Sequence, residues 1–166
     1  FPSRSPAVQQ QLMAAVCDWM GRHSGARLVI KMHPSSLATP VLRQLEANGV
    51  ADRCRVLVRE GNLQELLAGA RVVLTEDSTV GLDAMLAGKP VVFAHFMPSL
   101  PTLPMVEYNA ALNGCGAERL TEALDAMSVG DHDAAAMADG QRRFIADFAG
   151  PLDGRSGQRT VEFLRE

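Results

Sequence analysis

Four short apolar runs, each followed by a helix-patterned or loop-forming stretch, constrain the fold more than any other feature of this chain. Leu28-Val29-Ile30, Cys54 to Val58, Arg71-Val72-Val73-Leu74-Thr75 and Val91-Val92-Phe93-Ala94 read as strands. Before the first of them, Val8, Leu12, Val16, Trp19 and Met20 recur at helical spacing behind Ser5-Pro6, a plausible cap and first-turn pair. Pro40, Val41, Leu45 and Val50 mark a second helix ending near Asn48-Gly49. Leu63, Leu66 and Leu67 form a short helix stopped at Gly69, and Ser78 caps a helix from Thr79 to Ala87, with Gly88 and Pro90 beyond it. Bare apolar strands alternating with helices imply an α/β fold, a Rossmann-like doubly wound parallel sheet. Residues 95–114 hold Pro98, Pro101 and Pro104 with little periodicity and read as a long loop, uncommon unless functional. Helices at 117–128, around Met137 to Phe148, and at 158–165 complete the pattern.

The 166 residues suit one domain, residues 1–166, with a closing loop and helix at 150–166. The strand that should precede the first helix is missing or survives only as Phe1, so the chain reads as the C-terminal fragment of a longer two-domain protein. Sixteen basic against nineteen acidic residues, net charge −3, give no basic excess to advertise nucleic acid. Cys17, Cys54 and Cys115 are odd in number and far apart, which argues against a disulfide framework, and no Cys/His spacing reads as zinc. A reducing, cytoplasmic setting fits best. There is no signal peptide, and no apolar run nears the roughly 18 residues of a membrane span.

In open α/β sheets ligands bind outside the carboxyl ends of the strands. The segments there are Lys31-Met32-His33-Pro34, Arg59-Glu60-Gly61-Asn62, Thr75-Glu76-Asp77-Ser78-Thr79 and His95-Phe96, all rich in charge and hydrogen-bonding groups. Ser78 and Thr79 open a helix, where free amides and the dipole favour a phosphate, and Gly81 permits close backbone approach. Asp83, four residues after Thr79, shares its helix face and suits a ribose diol. The competing reading makes Ser78 a cap, Gly81 a packing glycine and Asp83 a first-turn charge. Pro34 pushes His33 into an extended loop, where its imidazole is the obvious acid, base or phosphate partner. Lys31 points to the same side and pairs with it toward a diphosphate. Glu60 and Asp77 are candidate carboxylate bases or surface charges, and His95 follows a strand too. No GxGxxG, Walker loop, GxSxG or HExxH is present.

Asp83-Ala84-Met85-Leu86-Ala87-Gly88-Lys89-Pro90-Val91-Val92 resembles the Glu-Ala-Met-Ala-x-Gly-x-Pro-Val-Val signature of the nucleotide-binding C-terminal half of GT-B glycosyltransferases. Thr75 to Leu82 is similar to the Thr-Asp-x-Ser-Ser-Val segment of bacterial surface-polysaccharide and teichoic-acid transferases. Lys31-Met32-His33-Pro34 is similar to their Lys-x-His-Pro motif, and Pro151-Leu152-Asp153-Gly154-Arg155-Ser156 to their C-terminal Asp-Gly turn. The matches run in the family's order over residues 27–160. The resemblance implies one half of a GT-B fold that holds an activated nucleotide donor, with an N-terminal acceptor domain as partner. Ser78 and Thr79 would hold the diphosphate, Asp83 would take the place of a ribose-binding Glu, and the Arg59–Asn62 loop, with Glu60 and Gly61, would face the base. Ser156 would join the donor site, and His33 would assist departure of the leaving phosphate. The donor would be a substrate, no cofactor or metal would be bound, and the fragment alone would be inactive. The parent would work in capsule or related surface-glycan synthesis, in the cytoplasm or peripherally at the inner membrane face. Asp83 is one methylene shorter than the family's Glu, and Thr75 stands where the commonest retaining family has a paired Glu. Two other readings stand beside this one: a non-hydrolysing UDP-sugar 2-epimerase domain, and a non-catalytic α/β interaction module.

Overall fold

The computed structural model describes residues 6–34, 36–97, 99 and 101–165. The element order begins α1 (Pro6–Arg22), β1 (Leu28–Lys31), α2 (Ala38–Ala47), a 3-10 turn (Ala51–Arg53) and β2 (Cys54–Leu57). It continues with α3 (Leu63–Gly69), β3 (Val73–Thr75), α4 (Val80–Leu86), β4 (Val91–Phe93) and β5 (Leu112–Asn113), then α5 (Ala117–Val129), α6 (Ala134–Phe148) and α7 (Ser156–Phe163). In α1 the buried Met13, Val16, Cys17 and Met20 fall at i, i+3, i+4 and i+7, the stripe that seats a helix on a core. Pro40 does not delay α2, which starts two residues before it. At the third helical position its missing N–H has no intrahelical acceptor to lose.

Every strand pairing is parallel, as the apolar runs require. β1 pairs with β2, Leu28 opposite Cys54 and Lys31 opposite Leu57. β3 pairs with β4, and β4 with β5. The pairings form two ladders, β1-β2 and β3-β4-β5, rather than one continuous sheet. The fifth strand lies inside the stretch read as loop. Leu112 and Asn113 sit opposite Val92 and Phe93, and Gly114 N–H donates to Phe93 O at 2.8 Å. Two residues are too few to leave a periodic trace in sequence; the partner strand defines them.

Helices cover both faces. On one face, side chains of α1, α2 and α5 meet Leu28, Ile30, Val56, Leu74, Val92 and Ala94 in a single apolar cluster. On the other, Leu67 of α3, Ala84 and Met85 of α4 and Phe144 of α6 pack with Val91, Phe93, Met105 and Ala111. The helix stripes and strand runs thus build one layer of helices on each side of the strands. No helix among the described residues is long and apolar enough to cross a membrane. The Ser5 cap and the Phe1 strand remnant lie outside the described residues.

Candidate functional site

Parallel pairing points the C-terminal ends of β1 and β2 the same way, and likewise those of β3 and β4, so the segments that follow the strands are the ones a ligand of an open α/β sheet would meet first. After β1, Met32 N–H continues the ladder to Leu57 O at 2.8 Å and its side chain is buried. Lys31 and His33 on either side of it are exposed, as alternation about a buried residue demands. Ser36 N–H donates to His33 O at 2.9 Å, closing the turn behind Pro34. After β2, Glu60 and Gly61 are exposed. Gly61 has φ 87°, where a side chain is strained, and Asn62 caps α3 by accepting from Gln64 N–H at 2.9 Å.

The segment after β3 is the most constrained. Ser78 Oγ accepts from Val80 N–H at 3.3 Å, so the helix starts one residue later than the sequence pattern predicts, with Thr79 in the cap position. Thr79 is exposed, whereas Ser78 and Asp83 are half-buried. Gly81 faces inward: a Cβ there would lie 2.5 Å from Met105 Cε and 3.2 Å from Thr75 Cγ2. Of the two readings the sequence left open for it, packing is the one these contacts describe. Asp77 is likewise engaged in structure. Its two carboxylate oxygens accept the N–H groups of Thr102 at 2.8 Å and Leu103 at 3.0 Å, which pins the proline-rich loop to the sheet edge. Burial pushes its pKa up, but these bonds, the Thr102 side chain and the nearby His95 outweigh that and hold it below the ordinary carboxylate value. His95 ties down the same loop through Nε2 and Ser99 O, 2.7 Å apart.

Beside this edge lies an open cavity of about 590 Å³ that the sequence reading missed. Gln11, Ala14 and Ala15 of α1 form one wall, His95, Phe96 and Met97 another, and Cys115, Gly116 and Ala117 the third. Gly114 and Gly116 on either side of Cys115 were the available signal for a tight turn into α5. Ser156 does not join the strand-end segments in any described contact. It lines a separate groove with Ala149, Gly150, Pro151, Arg159, Thr160 and Phe163 of the α6–α7 region. Among the described residues no three His, Cys, Asp or Glu side chains converge as a metal-binding group.

Residues 5–95, more than half of the chain, match the family described as capsule polysaccharide biosynthesis protein. The chain belongs to that family. In fold this capsule-synthesis family member is similar to WaaG, a glycosyltransferase involved in lipopolysaccharide biosynthesis. The match has a TM-score of 0.60 at 15% identity, covering 93% of this chain and 43% of WaaG. The architecture is therefore the Rossmann-like half of a GT-B fold, and the chain spans less than half the length of that structure. No curated protein matches the family member in sequence.

Proposed function

We propose that this chain is the donor-binding half of a two-domain, GT-B glycosyltransferase in bacterial surface-polysaccharide synthesis, its donor a nucleotide sugar or nucleotide alditol. The supporting observation is the joint one. A capsule-synthesis family member carries Lys31 and His33 in the segment that follows β1, and Ser78, Thr79 and Asp83 in the segment that follows β3, each after a strand paired in parallel. Lys31 and the hydroxyls of Ser78 and Thr79 would hold the diphosphate, Asp83 the ribose, and the Glu60–Gly61 turn would flank the base. Ser156, on the α6–α7 side, would reach the donor from beyond the edge. Asp77 and Gly81 serve this site by fixing the loop and the helix start. In the transfer from a nucleotide sugar, the acceptor hydroxyl oxygen bonds the anomeric carbon as the bond from that carbon to the diphosphate breaks. From a nucleotide alditol it bonds the distal phosphorus as the phosphoanhydride breaks and the nucleoside monophosphate leaves. The hydroxyl proton passes to water in either case. His33 and Lys31 would stabilise the charge arriving on the departing phosphate. The donor is a substrate, and the reading includes no resident metal. The acceptor would come from an N-terminal domain, and the work would be cytoplasmic, with the parent docking at the inner membrane face.

Titration of the folded protein with UDP, CDP, GDP, CMP and ADP by calorimetry tests this. One nucleotide is expected to bind saturably, with Ser78→Ala and His33→Ala each weakening it about tenfold, the loss of roughly one hydrogen bond to a charged group. Silence toward every nucleotide, in the full-length protein as well, would overturn the reading.

A further inference from the structure

Transfer to a hydroxyl makes opposite demands at its two ends. The departing phosphate is helped by a cation or an acid, the attacking hydroxyl by a base, and one imidazole does not serve both in a single step. On the transferase reading Lys31 and His33 stand with the phosphate, so the base lies elsewhere. Asp77, next to Ser78, is spent, because both its oxygens hold N–H groups of the loop. The exit of β4 offers another group. Thr75 of β3 lies opposite Phe93 of β4, and Ala94 N–H donates to Thr75 O at 2.8 Å. The chain therefore leaves these two strands side by side, about 4.8 Å apart, running on to Ser78 from one and to His95 from the other.

The hydrogen bond of His95 fixes its chemistry. Nε2 lies 2.7 Å from Ser99 O, and a carbonyl oxygen only accepts, so Nε2 carries a hydrogen. In the neutral ring Nδ1 is then a bare lone pair. Among the described residues it has no partner, and it is not enclosed among buried atoms, so it stands open to an incoming donor. The ring lies parallel to that of the buried Phe93, at 4° with centroids 6.0 Å apart, which seats it on the core. His95 also lines the cavity of about 590 Å³, together with Gln11, Ala14 and Phe96. That volume is in the range of small-molecule sites. Phe96 is anchored by packing on the core cluster under α1, and Ala14 is too short to fill the space in front of it.

We propose that His95 is the general base of the transfer, and that this cavity seats the acceptor hydroxyl, carried on a sugar ring. The assignment rests on the transferase reading above. Nδ1 takes the hydroxyl proton as the hydroxyl oxygen bonds the anomeric carbon or the distal phosphorus of the donor. The leaving phosphate departs with the electron pair of the broken bond, and the imidazolium then hands its proton to water. The Asp77 carboxylate, near enough to interact with the ring, offsets the positive charge that the ring gains. Phe96 and Ala14 offer apolar surface to the C–H face of a sugar, and the exposed Gln11 offers an amide to a neighbouring hydroxyl.

Two variants of the full-length protein separate the base from the loop tie. His95→Gln keeps an N–H donor where Nε2 stands but has no basic nitrogen, whereas His95→Ala loses both. Each is assayed for glycan formation with cytosol of the source cells as donor supply and membranes of cells lacking the native copy as acceptor supply. Both variants should be slower by about a hundredfold or more, the ordinary contribution of a general base. Added imidazole should restore rate to His95→Ala, and both should bind the nucleotide that the unaltered protein binds. An unimpaired His95→Gln, or a His95→Ala that imidazole does not rescue, would overturn the assignment while leaving the transferase reading intact. An unaltered protein that neither binds nucleotide nor forms glycan would overturn that reading, and the assignment with it.

Discussion

Single residues in this chain often hold the frame where the sequence alone suggests chemistry. Asp77 is the clearest case. Replacing it with Ala frees two loop N–H groups and is expected to cost about 1–3 kcal/mol, read from denaturant unfolding. Its folded pKa lies below the unfolded value of about 3.9, so its contribution is present above that value and fades as pH falls through the folded pKa. Melting curves of Asp77→Asn should therefore converge with the unaltered protein below about pH 4 and lie under it at neutral pH. Gly81→Ala should destabilise by about 1–3 kcal/mol, because the new methyl must displace the Met105 side chain. The Asp83–Val92 signature reads the same way. Gly88, at φ 66°, ends α4 in a Schellman turn: its N–H donates to Met85 O and the Lys89 N–H to Ala84 O, both at 2.9 Å. Lys89 Nζ reaches back to Ala68 O at 2.7 Å, and Pro90 O receives Val73 N–H. The signature that most resembles a family is thus largely a signature of fold, which is why it names an architecture more firmly than a ligand.

At the scale of elements, what the sequence shows depends on whether a segment carries its own periodicity. α1, α5 and α6 bury regular stripes and are legible from spacing alone. β5 has two residues and exists through its pairing with β4, so nothing local announces it. The loop before β5 owes its path to distant partners: Asp77 at one end and α6 at the other, where Gln141 donates to Lys89 O and Ala110 O. Gly140 allows that approach, since a Cβ there would come 2.3 Å from Tyr108 O and 2.6 Å from Asn109 C. Gly140→Ala should lower Tm by more than Gly81→Ala, because backbone rather than a flexible side-chain tip must move. The start of α6 offers a milder test. Asp133 Oδ1 accepts from Ala136 N–H at 2.8 Å, and Asp133→Ala should cost about 1 kcal/mol, the ordinary value of an N-cap.

Across the whole molecule, the α/β class and the parallel strands were legible in the alternation of apolar runs. The division into two ladders was not. Leu28-Val29-Ile30 and Val73-Leu74-Thr75 look as central as Val91-Val92-Phe93, and only three-dimensional exposure tells them apart. The same limit governs the site. Residue type marked Lys31, His33, Asp77, Ser78 and Gly81 alike, and only the contacts show that Asp77 holds the loop, Gly81 packs on Met105 and Ser78 caps α4.

The three thiols sit in unlike surroundings. Cys17 lies on the buried face of α1, and burial pushes up the thiols of both Cys17 and Cys54, which slows their reaction with electrophiles. Cys115 is half-buried and forms part of the wall of the 590 Å³ cavity. A maleimide dye should accordingly attach there first, one label per molecule, as intact mass spectrometry would read. The labelled protein would then carry a fluorescent reporter beside the strand ends, with no engineered cysteine, that could test the nucleotide binding proposed above.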